Sequence, residues 1–265
     1  MFWTRFRSSV ILLAITIALV VLGKDILFVS LFVISLIGMM ELNRVVKMNK
    51  TFPGVISYIA AFTYYLLLYF KHEEYLLMLF ILYLMVLMFS YVFTFPKYTS
   101  EQIAMVFMGL FYVSIMLSYI YQVSILRDGS LLVWLIFIGA WGSDTCAYCV
   151  GMLIGKHKII PKLSPKKSVE GCIGGVVGAA LLGLAYAAIF KGSIHGMHNP
   201  LLAFTIIGAA SSVISQIGDW AASAMKRNHE IKDYGNLIPG HGGILDRFDS
   251  ILFTAPIVFY LAIML

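Results

Sequence analysis

Nine long apolar runs follow one another along this chain, separated by short polar stretches. A helix needs roughly 20 mostly apolar residues to cross a lipid bilayer. Only 12% of the residues are charged, about half the share that is typical of a soluble domain. We therefore predict an all-α, polytopic integral membrane protein with about nine transmembrane helices. The runs cover approximately residues 8–22, 26–40, 53–70, 75–95, 103–126, 131–154, 171–190, 201–225 and 250–265.

The distribution of basic residues predicts the orientation of these spans. Cytosolic loops of membrane proteins are enriched in Lys and Arg. If the N-terminus is cytosolic, only Lys24, Lys71, Arg127 and Lys191 of the 19 basic residues fall in outside loops. We thus expect a multi-pass protein of the plasma (inner) membrane, with the N-terminus and the main polar loops in the cytosol and the C-terminus outside.

The formal net charge of +6 is carried by these cytosolic loops. Basic loops beside a membrane typically meet anionic lipid head groups or phosphate ligands. Nucleic acid is therefore not expected as a partner. The lipid bilayer and a phosphate-bearing ligand are expected instead.

Ionisable residues are distributed unevenly between the two halves of the chain. Spans one to five contain almost none, and Glu41, at the end of a span, is interpreted as a solvated residue at the membrane rim. We predict an N-terminal membrane region at residues 1–128, which contacts lipid or forms a homodimer. Residues 129–265 are predicted to form a catalytic membrane region with four spans and cytosolic loops.

Two aspartates lie within apolar spans of the second half, where a carboxylate is costly and usually functional. Asp219 belongs to a polar stripe at helical spacing, which must face a protein interior or a wet cavity. Asp144 has a similar setting in the sixth span. The alternative interpretation is that each aspartate forms a hydrogen bond between helices. The stripe consists of Ser212, Ser215, Gln216, Asp219 and Ser223.

A polar segment rich in charge and glycine extends from Ser223 to Asp249. Backbone N–H groups in its centre, Pro239 to Gly243, can turn toward an anion. His241 in this loop can bind phosphate, move a proton or satisfy a loop carbonyl. Asp246 and Asp249 precede the last span and share one face of a helical turn, unless one of them caps that span.

These features together indicate a metal–phosphate site. Asp219, Asp246 and Asp249 can bind Mg²⁺, which prefers oxygen ligands and usually bridges substrate phosphates. Basic side chains of this segment and of a second cytosolic loop, the lysine-rich loop from Gly155 to Glu170, can neutralise a polyphosphate. Because so much of the chain lies in the bilayer, the other reactant is expected to be a lipid. The residues therefore predict an enzyme that joins a lipid phosphate to a metal-bound polyphosphate.

Two blocks of the sequence carry a resemblance to a known family. The segment S-A-M-K-R, four residues, then K-D-Y-G-N-L-I-P-G-H-G-G-I-L-D-R-F-D, from Ser223 to Asp249, resembles the signature of the phosphatidate cytidylyltransferase (CDP-diacylglycerol synthase) family. The block from Trp141 to Gly171, which includes W-G-S-D-T-C-A-Y and S-P-K-K-S-V-E-G, resembles its second characteristic block. The resemblance implies transfer of CMP from CTP to phosphatidic acid, with Mg²⁺ required and CDP-diacylglycerol and pyrophosphate as products.

The resemblance also implies roles for individual residues. Those implied to act in catalysis are Asp219, Asp246, Asp249, His241 and Lys226, and the three aspartates are the implied metal ligands. Those implied to bind substrate are Asp144, Lys167, Arg227, Lys232, Asp233 and Arg247. We also expect Ser223, Gly242 and Gly243 of the polar segment to bind substrate. Ala222 stands where the family often has Glu, which indicates that the set of metal ligands in this chain differs from the usual one.

Two other functions remain open at this stage. A CTP-dependent lipid kinase acting on a polyprenol-type alcohol would also need a metal and basic loops, but would deliver the γ-phosphoryl group. An ion-coupled transporter would use Asp144 and Asp219 as ion sites near the midplane of the membrane. A transporter would not explain the glycine-rich stretch from Pro239 to Gly243, called the glycine loop below.

Overall fold

Helices account for almost all regular structure in the computed structural model, which describes residues 2–161 and 163–265. Eight helical segments there are long and apolar enough to cross a membrane, and they coincide with predicted runs two to nine. The all-α, polytopic prediction is confirmed. The helices are α1 Phe2–Leu22, α2 Lys24–Val45, α3 Phe52–Tyr69, α4 Leu76–Phe93, α5 Ser100–Gly109, α6 Met116–Ser124, α7 Gly129–Phe137, α8 Ser143–Ile154, α9 Val169–Phe190, α10 Pro200–Asn228 and α11 Leu245–Met264.

The first predicted span lies in α1, of which the apolar part Phe6–Leu22 is shorter than the other candidates. Its crossing of the membrane, and with it the count of nine, stays a prediction. Lys162, one of the lysines of the loop before α9, lies outside the described residues.

Two spans contain a π-helical turn. Leu110–Ile115 joins α5 to α6, and Ile138–Gly142 joins α7 to α8. Single π turns inside helices are often found at functional sites. The second turn ends two residues before Asp144 and packs against α10, where a Cβ on Gly139 would lie 2.4 Å from the Cβ of Ser211.

Local sequence explains where several helices begin. The Ser168 hydroxyl accepts a hydrogen bond from the Gly171 N–H at 3.2 Å, and the Asn199 side chain accepts one from the Leu202 N–H at 3.3 Å. Such side chains satisfy N–H groups that have no partner within the helix. Residue Thr99 forms a reciprocal capping box with the residue three positions later at the start of α5, as expected for this pair of residue types.

The chain divides into two compact units, neither of which is continuous in sequence. Unit 1 comprises Met1–Val10, Phe28–Ser118 and Asp233–Asp246, and unit 2 comprises Ile11–Leu27, Tyr119–Lys232 and Arg247–Leu265. The part of the signature from Asp233 to Asp246, called the signature segment below, thus groups with helices of the first half. The predicted boundary between two functional regions at residue 128 stays a prediction. The two compact units are not separated by a single boundary in the sequence, because each is built from three stretches of the chain.

Close helix packing in unit 2 depends on glycines of α9. A Cβ on Gly174 would lie 2.5 Å from Val150, and a Cβ on Gly178 would lie 2.5 Å from Cys146. On another face of α9, a Cβ on Gly183 would lie 2.4 Å from the Phe204 carbonyl oxygen. Small residues at helical spacing allow such close approach within membranes, so α9 packs closely against both α8 and α10.

Polar pairs are buried inside unit 1. The hydroxyls of Ser35 and Ser114 are 2.6 Å apart, and those of Tyr64 and Ser118 are 2.8 Å apart. All four side chains are buried. Because buried polar groups must find partners, these pairs tie α2 and α3 to the helices of the fifth span.

Candidate active site

A cavity of about 510 Å³ in unit 2 brings together residues of α8, α9, α10 and the lysine-rich loop. Three residues that the sequence selected, Asp144, Lys167 and Asp219, lie in its wall. A concave pocket with a few convergent polar groups is the usual form of a small-molecule site. Its wall also includes Tyr148, Lys166, Ser168, Cys172 and Gln216.

The Lys167 ammonium forms an ion pair with the Asp219 carboxylate in this wall. The same ammonium lies 5.6 Å from the centre of the Trp220 ring, within the range of a cation–π contact. Asp144 is in electrostatic range of both Lys167 and Asp219. The cavity therefore presents charges of both signs to a ligand.

Asp249 is a further carboxylate of unit 2 that interacts with charged groups near the cavity wall. It lies in electrostatic range of Asp219, Lys226 and Arg247. Its side chain is 8% exposed, and its Oδ1 accepts a hydrogen bond from the Ser250 N–H at 2.8 Å. Asp219 and Asp249 thus bring two carboxyl groups into range of each other, with two cations nearby.

The polar stripe of α10 explains why Asp219 points into the cavity. Two turns before it, the Ser212 hydroxyl lies 2.6 Å from that of Ser143, and the Gln216 amide donates to the Cys172 carbonyl at 3.2 Å. Ser215 is also fully buried. The prediction that this stripe faces a protein interior is therefore confirmed, and α8 and α9 supply the partners.

The lysine-rich loop is closed at its base by Glu170, which the sequence reasoning did not select. Its carboxylate accepts hydrogen bonds from the Lys156 N–H at 3.1 Å and the His157 N–H at 3.2 Å. Oε1 of the same side chain lies 2.5 Å from Nδ1 of His157. The sequence did hold a clue to this role, because Glu170 stands in the S-V-E-G motif two residues after Ser168, which caps the helix. Glu170 therefore fixes the two ends of the loop that carries Lys167.

The signature segment folds around Asp246 in unit 1. Its Oδ2 accepts hydrogen bonds from the Tyr234 N–H at 2.8 Å and the Gly243 N–H at 2.9 Å. Between them, the Ile238 N–H donates to the Gly242 carbonyl at 2.8 Å. Gly242 has a φ of +85°, and a Cβ on it would lie 2.8 Å from that same Oδ2. Only glycine fits this left-handed position so close to a carboxylate.

The last helix begins earlier than the sequence predicted. α11 starts at Leu245, not at Ser250, so that Asp246 and Asp249 lie inside the helix instead of before it. Neither aspartate is therefore its N-cap. The error arose because the charged stretch Asp246–Asp249 interrupts the apolar pattern, although a helix accommodates acidic residues well in its first turns.

Glu41 is not a solvated rim residue, contrary to the prediction. It is only 2% exposed. Its Oε1 accepts a hydrogen bond from the Ile244 N–H at 3.1 Å, and its Oε2 accepts one from the Leu245 N–H at 2.9 Å. No local pattern reveals this contact, because the partners lie some two hundred positions further along the chain.

His241 contacts the first helix. Its Nε2 lies 3.1 Å from the Ser9 hydroxyl, and the Ser8 hydroxyl donates to the Pro239 carbonyl at 3.0 Å. The glycine loop therefore rests on residues near the N-terminus. Sequence reasoning did not identify this contact, because a serine in an apolar run has no distinctive spacing.

Comparison with known proteins identifies the family to which this chain belongs. A sequence profile of the cytidylyltransferase family matches residues 3–265. The chain belongs to this family. Similar proteins include the phosphatidate cytidylyltransferase of Bacillus subtilis (strain 168), 30% identical over 263 residues, 97% of this chain and 96% of that protein. One from Staphylococcus epidermidis is 31% identical over 259 residues, 96% of each chain. One from Haemophilus influenzae is 40% identical over 132 residues, half of this chain and 46% of that protein.

The resemblance inferred from two blocks of the C-terminal half is thus confirmed, and it extends through the N-terminal helices. Membership of a cytidylyltransferase family makes this chain a nucleotidyltransferase. The first half of the sequence is consequently part of the family's architecture, although its own pattern indicated only membrane helices.

The residues that the sequence predicted for the site are divided between the two units. Unit 2 includes Asp144, Lys167, Asp219, Ser223, Lys226, Arg227, Lys232, Arg247 and Asp249, and unit 1 includes Asp233, His241, Gly242, Gly243 and Asp246. Arg227, Lys232, Asp233 and Arg247 are exposed, and Ser223 and Lys226 are half-buried. Within residues 2–161 and 163–265, no three His, Cys, Asp or Glu side chains form a group that could hold a metal ion. The predicted trio of metal ligands stays a prediction.

Proposed function

We propose that this chain transfers CMP from CTP to phosphatidic acid, giving CDP-diacylglycerol and pyrophosphate in phospholipid biosynthesis. The observation that carries the proposal is the cavity of about 510 Å³ whose wall combines Lys167, Asp219 and Asp144. Similarity along almost the whole chain to proteins named phosphatidate cytidylyltransferase supports the choice of substrates.

The reaction needs positioning and neutralisation of charge more than covalent chemistry. A phosphate oxygen of phosphatidic acid attacks the α-phosphorus of CTP and forms a new P–O bond. The bond from that phosphorus to the bridging oxygen of the β-phosphate breaks, and pyrophosphate leaves with its electron pair. Lys167, Lys226 and Arg247 are the cations proposed to bind the triphosphate and the phosphatidate head group.

Mg²⁺ is the proposed cofactor, and the donors present fit it. Asp219 and Asp249 are hard oxygen donors in electrostatic range of each other, and Mg²⁺ usually takes only one or two carboxylates together with substrate phosphates. Bound there, Mg²⁺ would neutralise charge on the polyphosphate. Asp246 remains a third proposed ligand, although its Oδ2 accepts two backbone hydrogen bonds.

The helices make this a multi-pass membrane protein. We further propose that it lies in the plasma (inner) membrane with the active-site loops in the cytosol, where CTP is available. The excess of Lys and Arg in those loops supports this orientation. We also propose that residues 1–128 contact lipid or form a homodimer, since many helix faces there expose large apolar side chains.

Product analysis tests the function. Purified protein in detergent is incubated with CTP, Mg²⁺ and phosphatidic acid, and both the lipid product and pyrophosphate are measured. CDP-diacylglycerol and pyrophosphate in equal amounts are expected. Formation of a phosphorylated lipid and CDP would identify a lipid kinase instead. Ion-coupled uptake into proteoliposomes without nucleotide turnover would identify a transporter.

A further inference from the structure

Glu41 of α2 is buried against the signature segment within unit 1. Both of its carboxylate oxygens accept backbone hydrogen bonds, at 3.1 Å from Ile244 and at 2.9 Å from Leu245. A buried carboxylate is unfavourable unless it is hydrogen-bonded. Those two donors therefore account for the presence of a charged side chain that is only 2% exposed.

The residue before α11 carries no side chain that could cap the helix. The residue before the helix is Ile244, and its apolar side chain cannot accept a hydrogen bond from the first helical N–H groups. Unsatisfied N–H groups at a helix start attract an anionic acceptor. Glu41 supplies that acceptor from a helix that is distant in sequence, so the backbone at Ile244 and Leu245 is tied to α2.

Two glycines of the segment leave space for this carboxylate. A Cβ on Gly235 would lie 2.4 Å from Oε1 of Glu41, and a Cβ on Gly243 would lie 2.5 Å from both of its oxygens. Such distances do not occur between real side chains. The segment therefore encloses the end of the Glu41 side chain from two sides and cannot carry a larger residue at either position.

The neighbouring Asp246 holds the same segment. Its Oδ2 accepts from Tyr234 and Gly243, while Glu41 accepts from the next two residues. We propose that Glu41 is a positioning residue, which fixes the glycine loop and the first turn of α11 for the transfer reaction. This proposal rests on the proposed function. It assigns a role in the chemistry to the N-terminal half of the chain.

A kinetic comparison separates positioning from stability. The Glu41→Gln variant keeps the size of the side chain but replaces one acceptor oxygen with an NH₂ group that faces a backbone N–H. With Mg²⁺ and with saturating CTP and phosphatidic acid, kcat per folded molecule is expected to fall about 10- to 100-fold. A loss of this size is typical when reacting groups are displaced by about 1 Å from their productive positions. The KM values for both substrates are expected to change far less.

Ser35→Ala is the matched control. Ser35 lies on the same helix and is fully buried, and it bonds the hydroxyl of Ser114, a residue outside the signature segment, at 2.6 Å. This variant is expected to lower the unfolding temperature while kcat per folded molecule stays at the wild-type value. Equal losses of kcat in both variants would overturn the positioning role.

Gly235→Ala, which keeps the Glu41 carboxylate, covers the case in which Glu41→Gln does not fold, and full kcat in this variant would overturn the proposal. A double-mutant cycle then tests the contact itself. Gly235→Ala places a methyl group against the carboxylate and is expected to lower kcat by itself. In a Glu41→Ala background the carboxylate is gone, so the added Gly235→Ala change should lower activity and unfolding temperature little further. Additive losses in the cycle would overturn the proposal.

The two hypotheses fail differently. If the wild-type protein makes no CDP-diacylglycerol, the proposed function is wrong, and the role of Glu41 in that reaction is lost with it. If the wild type is active and Glu41→Gln retains its full kcat, the function stands and the positioning role alone is wrong.

Discussion

The ion pair between Lys167 and Asp219 joins the lysine-rich loop to α10 in the wall of the unit 2 cavity. Both side chains are between a quarter and a third exposed, so a ligand in the cavity can reach either of them. A phosphate would compete for the lysine, and a divalent cation would compete for the aspartate. Substrate binding is therefore expected to exchange this contact for contacts with CTP and its metal ion.

Removal of the lysine tests its role as a phosphate ligand. For Lys167→Ala, kcat/KM for CTP is expected to fall by an amount equivalent to about 1–3 kcal/mol, as for a charge-assisted hydrogen bond. Steady-state kinetics over a range of CTP concentrations measures this. Lys191→Ala removes an exposed charge on the predicted outside face and is expected to behave as the wild type. Equal kinetics for both variants would exclude Lys167 from CTP binding.

Asp219 and Asp246 are expected to respond differently to substitution. Asp219→Asn removes a proposed metal ligand and should abolish Mg²⁺-dependent turnover with little change in the unfolding temperature. Asp246→Ala should lower both, because its carboxylate accepts two backbone hydrogen bonds. The stability loss is expected to be about 1–3 kcal/mol, as for buried donors left without partners. Turnover and thermal unfolding are measured in the same detergent, and near-native turnover of Asp219→Asn would contradict the metal site.

Much of the architecture follows from local patterns. Long apolar runs predicted eight confirmed helices, and the helical spacing of the serines near Asp219 predicted the buried face of α10. The start of α11 was misplaced because Asp246 and Asp249 resemble a loop when they are read without the groups around them. Glu41 was misjudged for a related reason. The free energy that keeps it buried comes from N–H groups about two hundred residues away, and no periodicity records such a contact.

The packing of α9 against α10 makes a prediction about stability. Gly183→Ala should destabilise the protein by about 1–3 kcal/mol, as for overpacking of a tight interior, because its methyl group would meet the rigid Phe204 backbone. Gly192→Ala is the control, since nothing lies within 4 Å of the added methyl group. Thermal unfolding in detergent compares the two variants. Equal unfolding temperatures would show that the helices do not approach as described.

Membrane orientation can be tested by cysteine labelling. In a background lacking Cys146, Cys149 and Cys172, a membrane-impermeant thiol reagent should label His198→Cys in intact cells but not Asn236→Cys. Both positions are exposed, so accessibility within the fold does not limit the reaction. After the cells are opened, both variants should react. Labelling of Asn236→Cys from outside would reverse the proposed orientation.

The most direct test of the central claim follows the phosphorus atoms of CTP. Purified protein is given phosphatidic acid and Mg²⁺ with CTP labelled in either the α- or the γ-phosphate, and the lipid and aqueous fractions are counted. Transfer of CMP predicts α-label in the lipid and γ-label in free pyrophosphate, and Asp219→Asn should abolish both. Appearance of the γ-label in the lipid, with the α-label left in CDP, would contradict the account.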